Sequence, residues 1–404
     1  MLHRKQSKNG LRMVLEEMTS VRSVTIGIWI EAGSRYESPQ LNGISHLIEH
    51  MLFKGTENRN AQEIAEAFDA IGGEVNAFTS KEYTCVYAKV LDTHKEMAIQ
   101  VLADMLHGSL FDPHELEREK KVVLEEINMT EDMPDDIIHD LLSEAVYVDH
   151  PLAYPILGSK ENVSSFTRED LLAYKKRYYT PENMVVSVAG NADKSFLDKV
   201  EGYIDINTNK GALPQLQTPN FHVNQIRKTK QVEQAHVCLG YEGIPVTHRD
   251  MYHLLVLNNV LGGSMSSRLF QEVREKLGMA YAIFSYHQAF MDSGLLTIYA
   301  GTAHQQLDLV CEKMDQIIQK LHSEGIHEKE LENGREQLKG ILMLSLESTN
   351  SKMSRNARNE LLLNRHPSLD ETMNEIDQVN QKKMNELIDR FRQGKSASAI
   401  ITSK

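Results

Sequence analysis

The chain of 404 residues has few cysteines and no apolar run long enough to cross a membrane. Its three cysteines, Cys85, Cys238 and Cys311, are odd in number and far apart. This pattern argues against a disulfide framework and favours a reducing compartment. The first residues show neither the apolar region nor the cleavage site of a signal peptide. We therefore expect a cytoplasmic protein with no membrane association.

The chain also has fewer basic than acidic residues: 44 lysines and arginines against 57 aspartates and glutamates, which gives a net charge of -13. Nucleic-acid phosphates would be repelled by such a chain, which excludes nucleic acid as the expected partner. The acidic surplus is either a solvated surface or the lining of an interior that attracts basic peptides. Composition alone does not separate these two alternatives.

Few stretches resemble a linker, and the clearest one divides the chain nearly in half. Residues 206–222 gather glycine, asparagine, threonine and two prolines. A length of 404 residues exceeds what one hydrophobic core usually serves, which favours two or more domains. We predict a catalytic domain at 1–207, a linker at 208–222 and a second domain at 223–404.

The two halves show signs of an internal repeat. A shift of 206 residues pairs 71–79 with 277–285, so that glycine meets glycine and phenylalanine meets phenylalanine. A shift of 210 residues brings His94 opposite His304, each at the start of an amphipathic helix. Strand-like and helix-like segments alternate in both halves. These observations predict two similar α+β halves.

The pentapeptide HLIEH at 46–50 is the strongest chemical signal. On a helix, residues i and i+4 share one face, so His46 and His50 can hold one metal ion between them. Glu49 lies one turn from His46 and can reach a water on that ion. Imidazoles and a carboxylate around an open position are typical of catalytic zinc, which lowers the pKa of its water toward ~7. The order H-x-x-E-H is one of the zinc peptidase signatures.

A third ligand is expected from the acidic helix at 114–132. Glu119 and Glu126 are seven residues apart and share a face with Val122 and Val123. A carboxylate on the partly apolar side of a helix is the better ligand candidate. Helical spacing alone barely separates Glu126 from Glu125, and a solvated charged helix is the alternative reading of the whole run.

These motifs resemble those of the pitrilysin–insulinase family of zinc peptidases. In that family H-x-x-E-H is followed at a set distance by a segment of the form E-(x)6-E, and here EKKVVLEE ends 76 residues after His50. The resemblance implies one zinc ion per chain, with His46, His50 and Glu126 as ligands. It also implies Glu49 as general base and Glu119 as the carboxylate that orients a ligand.

The resemblance extends over nearly the whole chain. It is carried by the blocks at 9–17, 28–37, 43–56, 72–84, 150–158 and 178–191. The chain is most similar to the two-domain bacterial branch, which resembles the catalytic subunit of the mitochondrial processing peptidase. This implies two homologous α/β domains, each a largely antiparallel sheet flanked by helices, together forming half of a clamshell. A homodimer, or a pair with a homologous subunit, would complete the chamber.

The second half is expected to lack metal. The shift of 206 residues places its counterparts of the H-x-x-E-H residues at Tyr252, Leu255 and Val256. By resemblance, Arg274 and Tyr281 of this half bind the substrate backbone and stabilise an oxyanion. The alternative is that Arg274 caps a helix and Tyr281 belongs to the core.

The resemblance to the family implies that the strand after Gly72 and Gly73 binds the substrate. Asn76 and Ala77 would lie on an exposed sheet edge beside the zinc, where an extended peptide adds as another strand. The alternative is an ordinary protected edge strand. Main-chain hydrogen bonds are indifferent to side chains, so broad specificity is expected.

Together these arguments predict a zinc-dependent endopeptidase that hydrolyses short or unfolded peptides through an activated water and a glutamate base. Two alternatives belong to other classes. One is a non-catalytic partner subunit of the same fold, which would lack metal ligands. The other is a lyase acting on S-ribosylhomocysteine, which pairs a similar motif with a cysteine ligand in a much shorter chain. Histidine and carboxylate ligands also accept manganese or cobalt.

Overall fold

A computed structural model describes residues 1–204, 216–391 and 396–403. Most of the linker predicted at 208–222 lies outside these residues. The chain forms two compact units: the first comprises Met1–Asn128, Tyr154–Leu216 and Ser345–His366, and the second comprises Met129–Ala153, Gln217–Leu344 and Pro367–Lys404. Each unit thus takes a segment from the other half of the sequence. The division into 1–207, 208–222 and 223–404 stays a prediction.

The described strands form two sheets. They are β1 (Leu2–Gln6), β2 (Arg12–Glu17), β3 (Ser23–Ile30), β4 (Glu74–Thr79), β5 (Thr84–Leu91), β6 (Met184–Gly190), β7 (Gln225–Thr229), β8 (Ala235–Glu242), β9 (Ala280–Ala289), β10 (Gly294–Thr302) and β11 (Ala397–Thr402). The first sheet has the order β1-β2-β6-β3-β5-β4 and the second β7-β11-β8-β10-β9. Only β2 with β6 and β7 with β11 run parallel among the described pairs, so both sheets are largely antiparallel.

The described α-helices flank these sheets. They are α1 (Ile44–Met51), α2 (Ala61–Asp69), α3 (Lys95–Gly108), α4 (Pro113–Asp132), α5 (Pro134–Val146), α6 (Lys160–Ser165), α7 (Arg168–Tyr178), α8 (Phe196–Ile204), α9 (Met251–Leu261), α10 (Leu307–Glu324), α11 (Glu328–Ser345), α12 (Thr349–Arg358), α13 (Leu369–Asp377) and α14 (Gln381–Ile388). A π-helical segment, Phe270–Lys276, follows α9. Within the described residues, no helix combines the length and apolarity that a membrane crossing requires.

The two sheets repeat one topology, which confirms the predicted fold class of two homologous α/β domains. The order β2-β6-β3-β5-β4 in the first sheet matches β7-β11-β8-β10-β9 in the second, with the parallel pair at the same place. The aligned segment 71–79 contains the outer strand β4, and 277–285 contains the first part of its counterpart β9. β1 is the additional strand of the first sheet.

Strand β3 shows how the first sheet is packed on both faces. Its residues are almost all buried, as expected for a β-branched run covered on each side. Val24, Ile26, Ile28 and Ile30 belong to the large core beneath α1, α3, α7 and α8. Trp29 alternates to the opposite face and packs in a smaller core with Met353 of α12.

Helix α5 belongs to the first half of the sequence but packs in the second unit, and α12 belongs to the second half but packs in the first. In the first unit, α12 covers the rear face of the sheet, where the Trp29 Nε1 lies 3.1 Å from the Met353 Sδ. In the second unit, α5 covers β8 and β11, and its Ile138 and Leu142 share a core with Cys238. The two halves of the chain thus exchange one helix each.

Candidate metal centre

Helices α1 and α4 of the first unit bring His46, His50 and Glu126 together. The two imidazole rings lie one helical turn apart, with centroids separated by 4.6 Å. The Glu126 Oε2 lies 3.6 Å from the Nε2 of each histidine. Three donors around one tetrahedral ion with bonds of ~2.0–2.2 Å would be separated by about 3.3–3.6 Å. In the described part of the chain this is the one cluster of histidine, cysteine or carboxylate side chains with metal-ligand spacing.

The environment of His46 favours a neutral imidazole. Burial, with a smaller contribution from the neighbouring His50, lowers the pKa of His46 to about 3. Its Nδ1 is buried and has no hydrogen-bond partner among the described residues. In the tautomer that carries its proton on Nδ1, the Nε2 that faces Glu126 is unprotonated. A neutral imidazole with an unprotonated nitrogen facing a carboxylate fits the donor set of a zinc site.

His50 contacts the buried Glu119, which also pairs with the half-buried Lys54. The Glu119 Oε2 lies 3.0 Å from the His50 Nδ1, and the Glu119 Oε1 lies 2.7 Å from the Lys54 Nζ. Burial raises the pKa of Glu119, but its bonds to His50 and Lys54 outweigh that effect and lower it. Both carboxylate oxygens of Glu119 are thus used, and the His50 Nε2 is turned toward Glu126.

Glu49 lies on the same helix and contacts strand β4. Its Oε2 accepts a hydrogen bond of 2.5 Å from the Thr79 Oγ1. Burial raises the pKa of Glu49, and the bond from Thr79 opposes this shift. A raised pKa brings a carboxylate closer to neutral pH, where a group that both takes and returns a proton is most effective.

The N-terminus of α1 is fixed by a carboxylate from the preceding loop. Glu37 is buried, and it accepts hydrogen bonds from the backbone N–H of Gly43 at 2.8 Å and of Ser45 at 2.9 Å. Gly43 has a φ of 101°, which favours glycine. The Ser45 hydroxyl also pairs with the Tyr174 hydroxyl at 2.9 Å. These contacts satisfy free N–H groups at the start of the helix that carries both histidines.

Comparison with known proteins identifies the family. Residues 12–160 match the model of the insulinase family, peptidase family M16, and residues 165–338 match the peptidase M16 inactive domain. The chain is 55% identical to the uncharacterized zinc protease YmxG of Bacillus subtilis over 402 residues, covering 100% of this chain and 98% of the relative. The chain belongs to the insulinase family of peptidases.

A further relative resembles the chain in sequence, and two solved structures resemble it in fold. An uncharacterized zinc protease of Streptomyces coelicolor is 41% identical, covering 92% of this chain and 83% of the relative. A protease from Helicobacter pylori has the same fold, with a TM-score of 0.93 at 22% identity, covering 100% of this chain and 99% of that one. A peptidase M16 inactive domain from Pseudomonas fluorescens superposes with a TM-score of 0.92 at 18% identity, covering 100% and 98%.

The inactive-domain match agrees with the composition of α9, the second-unit counterpart of α1. Tyr252, Leu255 and Val256 occupy the positions of His46, Glu49 and His50 in the repeat alignment. Leu255 and Val256 are apolar, and none of the three offers an imidazole or a carboxylate. The described part of the second unit accordingly contains no cluster with metal-ligand spacing.

Asn76 and Ala77 lie on β4, the outermost strand of the first sheet. Within the described residues, β4 pairs with β5 on one side only. Asn76 is exposed, and its Oδ1 accepts a hydrogen bond of 2.8 Å from the Ala77 N–H. A groove of ≈ 580 Å³ runs beside this strand, with Phe53, Phe68 and Asn76 among its lining residues. The edge is therefore accessible, and the Asn76 side chain occupies part of its hydrogen-bonding capacity.

Arg274 and Tyr281 lie together in the second unit. The Arg274 guanidinium sits over the Tyr281 ring at 5.1 Å and over the Phe270 ring at 4.7 Å. Tyr281 is 76% exposed, which rules out the alternative in which it belongs to the core. Stacking restricts the half-exposed guanidinium, whose Nε also lies 3.8 Å from the Glu275 Oε1.

Two further residues at the site were missed by sequence reasoning. Lys54 contacts Glu119, and Thr79 contacts Glu49. Lys54 lies three residues beyond the end of α1, so helical spacing does not place it beside Glu119. Thr79 carries no signal either, because its contact depends on how β4 packs against α1.

Below neutral pH, zinc binding is expected to release one proton, from His50. Burial lowers the pKa of His50, but the bond to Glu119 and the charge of Glu126 outweigh it and raise the pKa in the metal-free protein. Below that pKa an ion must displace the proton of His50, whereas His46, with a pKa of about 3, contributes none. The dissociation constant should then rise about tenfold per pH unit between about pH 5 and 6.5. Calorimetry in buffers of different ionisation enthalpy measures the number of protons released on zinc binding. Release of about two protons per zinc ion would contradict a neutral His46.

Proposed function

We propose that this protein is a zinc-dependent endopeptidase that hydrolyses short or unfolded peptides. The observation that carries the proposal is the convergence of His46, His50 and Glu126 with Glu49 adjacent on the same helix. Relatives named as zinc proteases support it. We take one zinc ion per chain, held by His46, His50 and Glu126, with Glu119 orienting His50.

The bound ion would act as a Lewis acid and lower the pKa of a water molecule. Glu49 takes a proton from the attacking water and returns it to the departing amine. In the metal-free protein burial raises the pKa of Glu49, which favours uptake of the proton by this carboxylate. Glu119 and Lys54 keep the His50 ring in one orientation while this occurs.

The peptide is proposed to add to β4 as an extended strand at Asn76 and Ala77. Main-chain hydrogen bonds would supply affinity, and the neighbouring groove would accept side chains. For this, the hydrogen bond from the Ala77 N–H to the Asn76 Oδ1 must break, and the N–H then donates to a carbonyl oxygen of the peptide. This mode suits unfolded or short peptides, because a folded substrate cannot offer a free strand.

We also propose a homodimer in which Arg274 and Tyr281 of one protomer serve the metal centre of the other. The exposure of Tyr281, with the half-exposed Arg274 stacked on its ring, supports a role toward an external partner. The Arg274 guanidinium would stabilise developing negative charge on the carbonyl oxygen of the scissile bond. The cytoplasm is the proposed location, since all three cysteines are free.

Mixing two inactive variants tests this arrangement. Glu49→Gln lacks the base and Arg274→Ala lacks the guanidinium, so each homodimer should be inactive. Hybrid dimers contain one complete site if the two groups come from different protomers, and random mixing should restore about a quarter of wild-type activity. Activity is followed after co-refolding or subunit exchange. If the mixture shows no more activity than either variant alone, the two protomers do not share one active site.

The proposed activity itself is tested with quenched fluorescent peptides of about ten residues. Cleavage is measured before chelation, after chelation and after zinc is restored. Activity that disappears and returns with zinc supports the peptidase assignment. Stoichiometric zinc binding without cleavage of any peptide, in a dimeric preparation, would contradict it.

A further inference from the structure

Thr79 connects two parts of the site that the proposed function treats separately. It is the last residue of β4, the strand proposed to receive the peptide, three positions after Asn76. Its hydroxyl lies 2.5 Å from the Glu49 Oε2 on α1. Residues Val75, Ala77 and Thr79 alternate to one face of the strand, and Val75 and Ala77 pack against the core that includes α1. The strand thus approaches both the substrate and the proposed base.

The hydroxyl proton of Thr79 is committed to Glu49. A threonine hydroxyl has a single proton to donate, and a carboxylate oxygen is an acceptor. The other neighbour is the Thr84 hydroxyl, at 3.4 Å, whose own proton goes to the Ala32 carbonyl oxygen at 2.9 Å. Thr84 therefore offers Thr79 at most a weak acceptor, and the short bond to Glu49 is the favoured one.

Glu49 depends on this bond for its orientation. In the described part of the chain, no other group forms a hydrogen bond with its side chain. A glutamate side chain has several rotatable bonds, so an unrestrained carboxylate would sample several rotamers. Fixing Oε2 to the strand leaves Oε1 as the oxygen available to a water at the metal centre.

We propose that Thr79 is a positioning residue, which holds the Glu49 carboxylate in register with the peptide bound along β4. The inference rests on the proposed function. The strand that fixes the peptide backbone also fixes the carboxylate of the proton acceptor on α1, so one strand positions both the scissile bond and the base. Thr79 acts through Glu49 and does not itself take part in proton transfer.

The test compares Thr79→Val, which removes the hydroxyl at nearly constant volume, with Thr79→Ser, which keeps it. For Thr79→Val we expect kcat to fall about tenfold to a hundredfold, while KM changes by less than about threefold. Thr79→Ser should stay within about threefold of wild type in kcat. Competition with a chromophoric chelator should give both variants a zinc dissociation constant within about threefold of the wild-type value, because no ligand contact is altered.

Thr25→Val is the matched control. Thr25 lies on β3 of the same sheet, and its buried hydroxyl bonds to the Thr349 hydroxyl at 2.8 Å, away from Glu49. It reports the general cost of losing a buried hydroxyl in this sheet and should leave kcat near wild type. Melting temperatures of all variants show whether each is folded.

The possible results distinguish the role of Thr79 from the proposed peptidase function. Wild-type cleavage with an unimpaired Thr79→Val would overturn the positioning role alone. An equal loss in Thr79→Ser and Thr79→Val would also overturn it, since the hydroxyl would then be irrelevant. A weakened zinc affinity in Thr79→Val would assign the residue to the metal site instead. Absence of zinc-dependent cleavage in the wild type would overturn both proposals.

Discussion

Replacing Glu49 with glutamine is expected to lower kcat by at least about a thousandfold while zinc remains bound. The amide keeps the size of the side chain and accepts a bond from Thr79, but it cannot take a proton from water. Glu49 is not among the three clustered donors, so the metal content should be unchanged. The measurement pairs single-turnover cleavage with zinc analysis of the same sample.

The control for this change is Glu66→Gln. Glu66 is an exposed carboxylate on α2, and it lies outside the contacts of the metal centre. It should cleave peptides at the wild-type rate. Retained cleavage in zinc-loaded Glu49→Gln would remove Glu49 from the role of base. Loss of zinc from that variant would instead point to a ligand role.

The second large effect is expected at Glu126, for which the adjacent glutamate offers a matched control. Glu126→Gln should weaken zinc binding by more than about a hundredfold, because a neutral amide replaces the one carboxylate that, among the described residues, faces both histidines. Glu125→Gln should bind zinc normally, since Glu125 is exposed and outside the cluster. Chelator competition measures both constants.

This comparison also addresses the choice that helical spacing left open between Glu125 and Glu126. Equal zinc affinities for the two variants would exclude Glu126 as a ligand. A loss of zinc affinity in Glu125→Gln alone would require α4 to be rotated about its axis by about 100° from its orientation in the structure. Circular dichroism of both variants controls for loss of the helix.

Much of the candidate site follows from helical periodicity. The i, i+4 spacing of His46 and His50 and the seven-residue spacing of Glu119 and Glu126 predict pairs on single helix faces, and the structure brings these pairs together. Periodicity was less accurate on the apolar side of α4. Val123 is buried as expected, whereas Val122 is 44% exposed. Helical spacing identifies a face only to within the width of one residue.

Contacts between elements could not be derived in the same way. The bond from Thr79 to Glu49 joins a strand to a helix and has no local signature in the sequence. The exchange of α5 and α12 is also invisible to pattern analysis, because an amphipathic helix shows that it covers an apolar surface but not which one. The repeat itself was predictable, since equivalent strands keep similar residues at β4 and β9.

The exchange of α12 has a consequence for biosynthesis. The metal-site residues at positions 46, 50 and 126 are translated early, together with most of the sheet behind them. The rear face of that sheet, with Trp29 and Val185, stays uncovered until the ribosome has added Met353 and Ala357. A nascent chain therefore exposes an aggregation-prone apolar surface for most of its synthesis. The first unit acquires its final core only after nearly the whole polypeptide has been made.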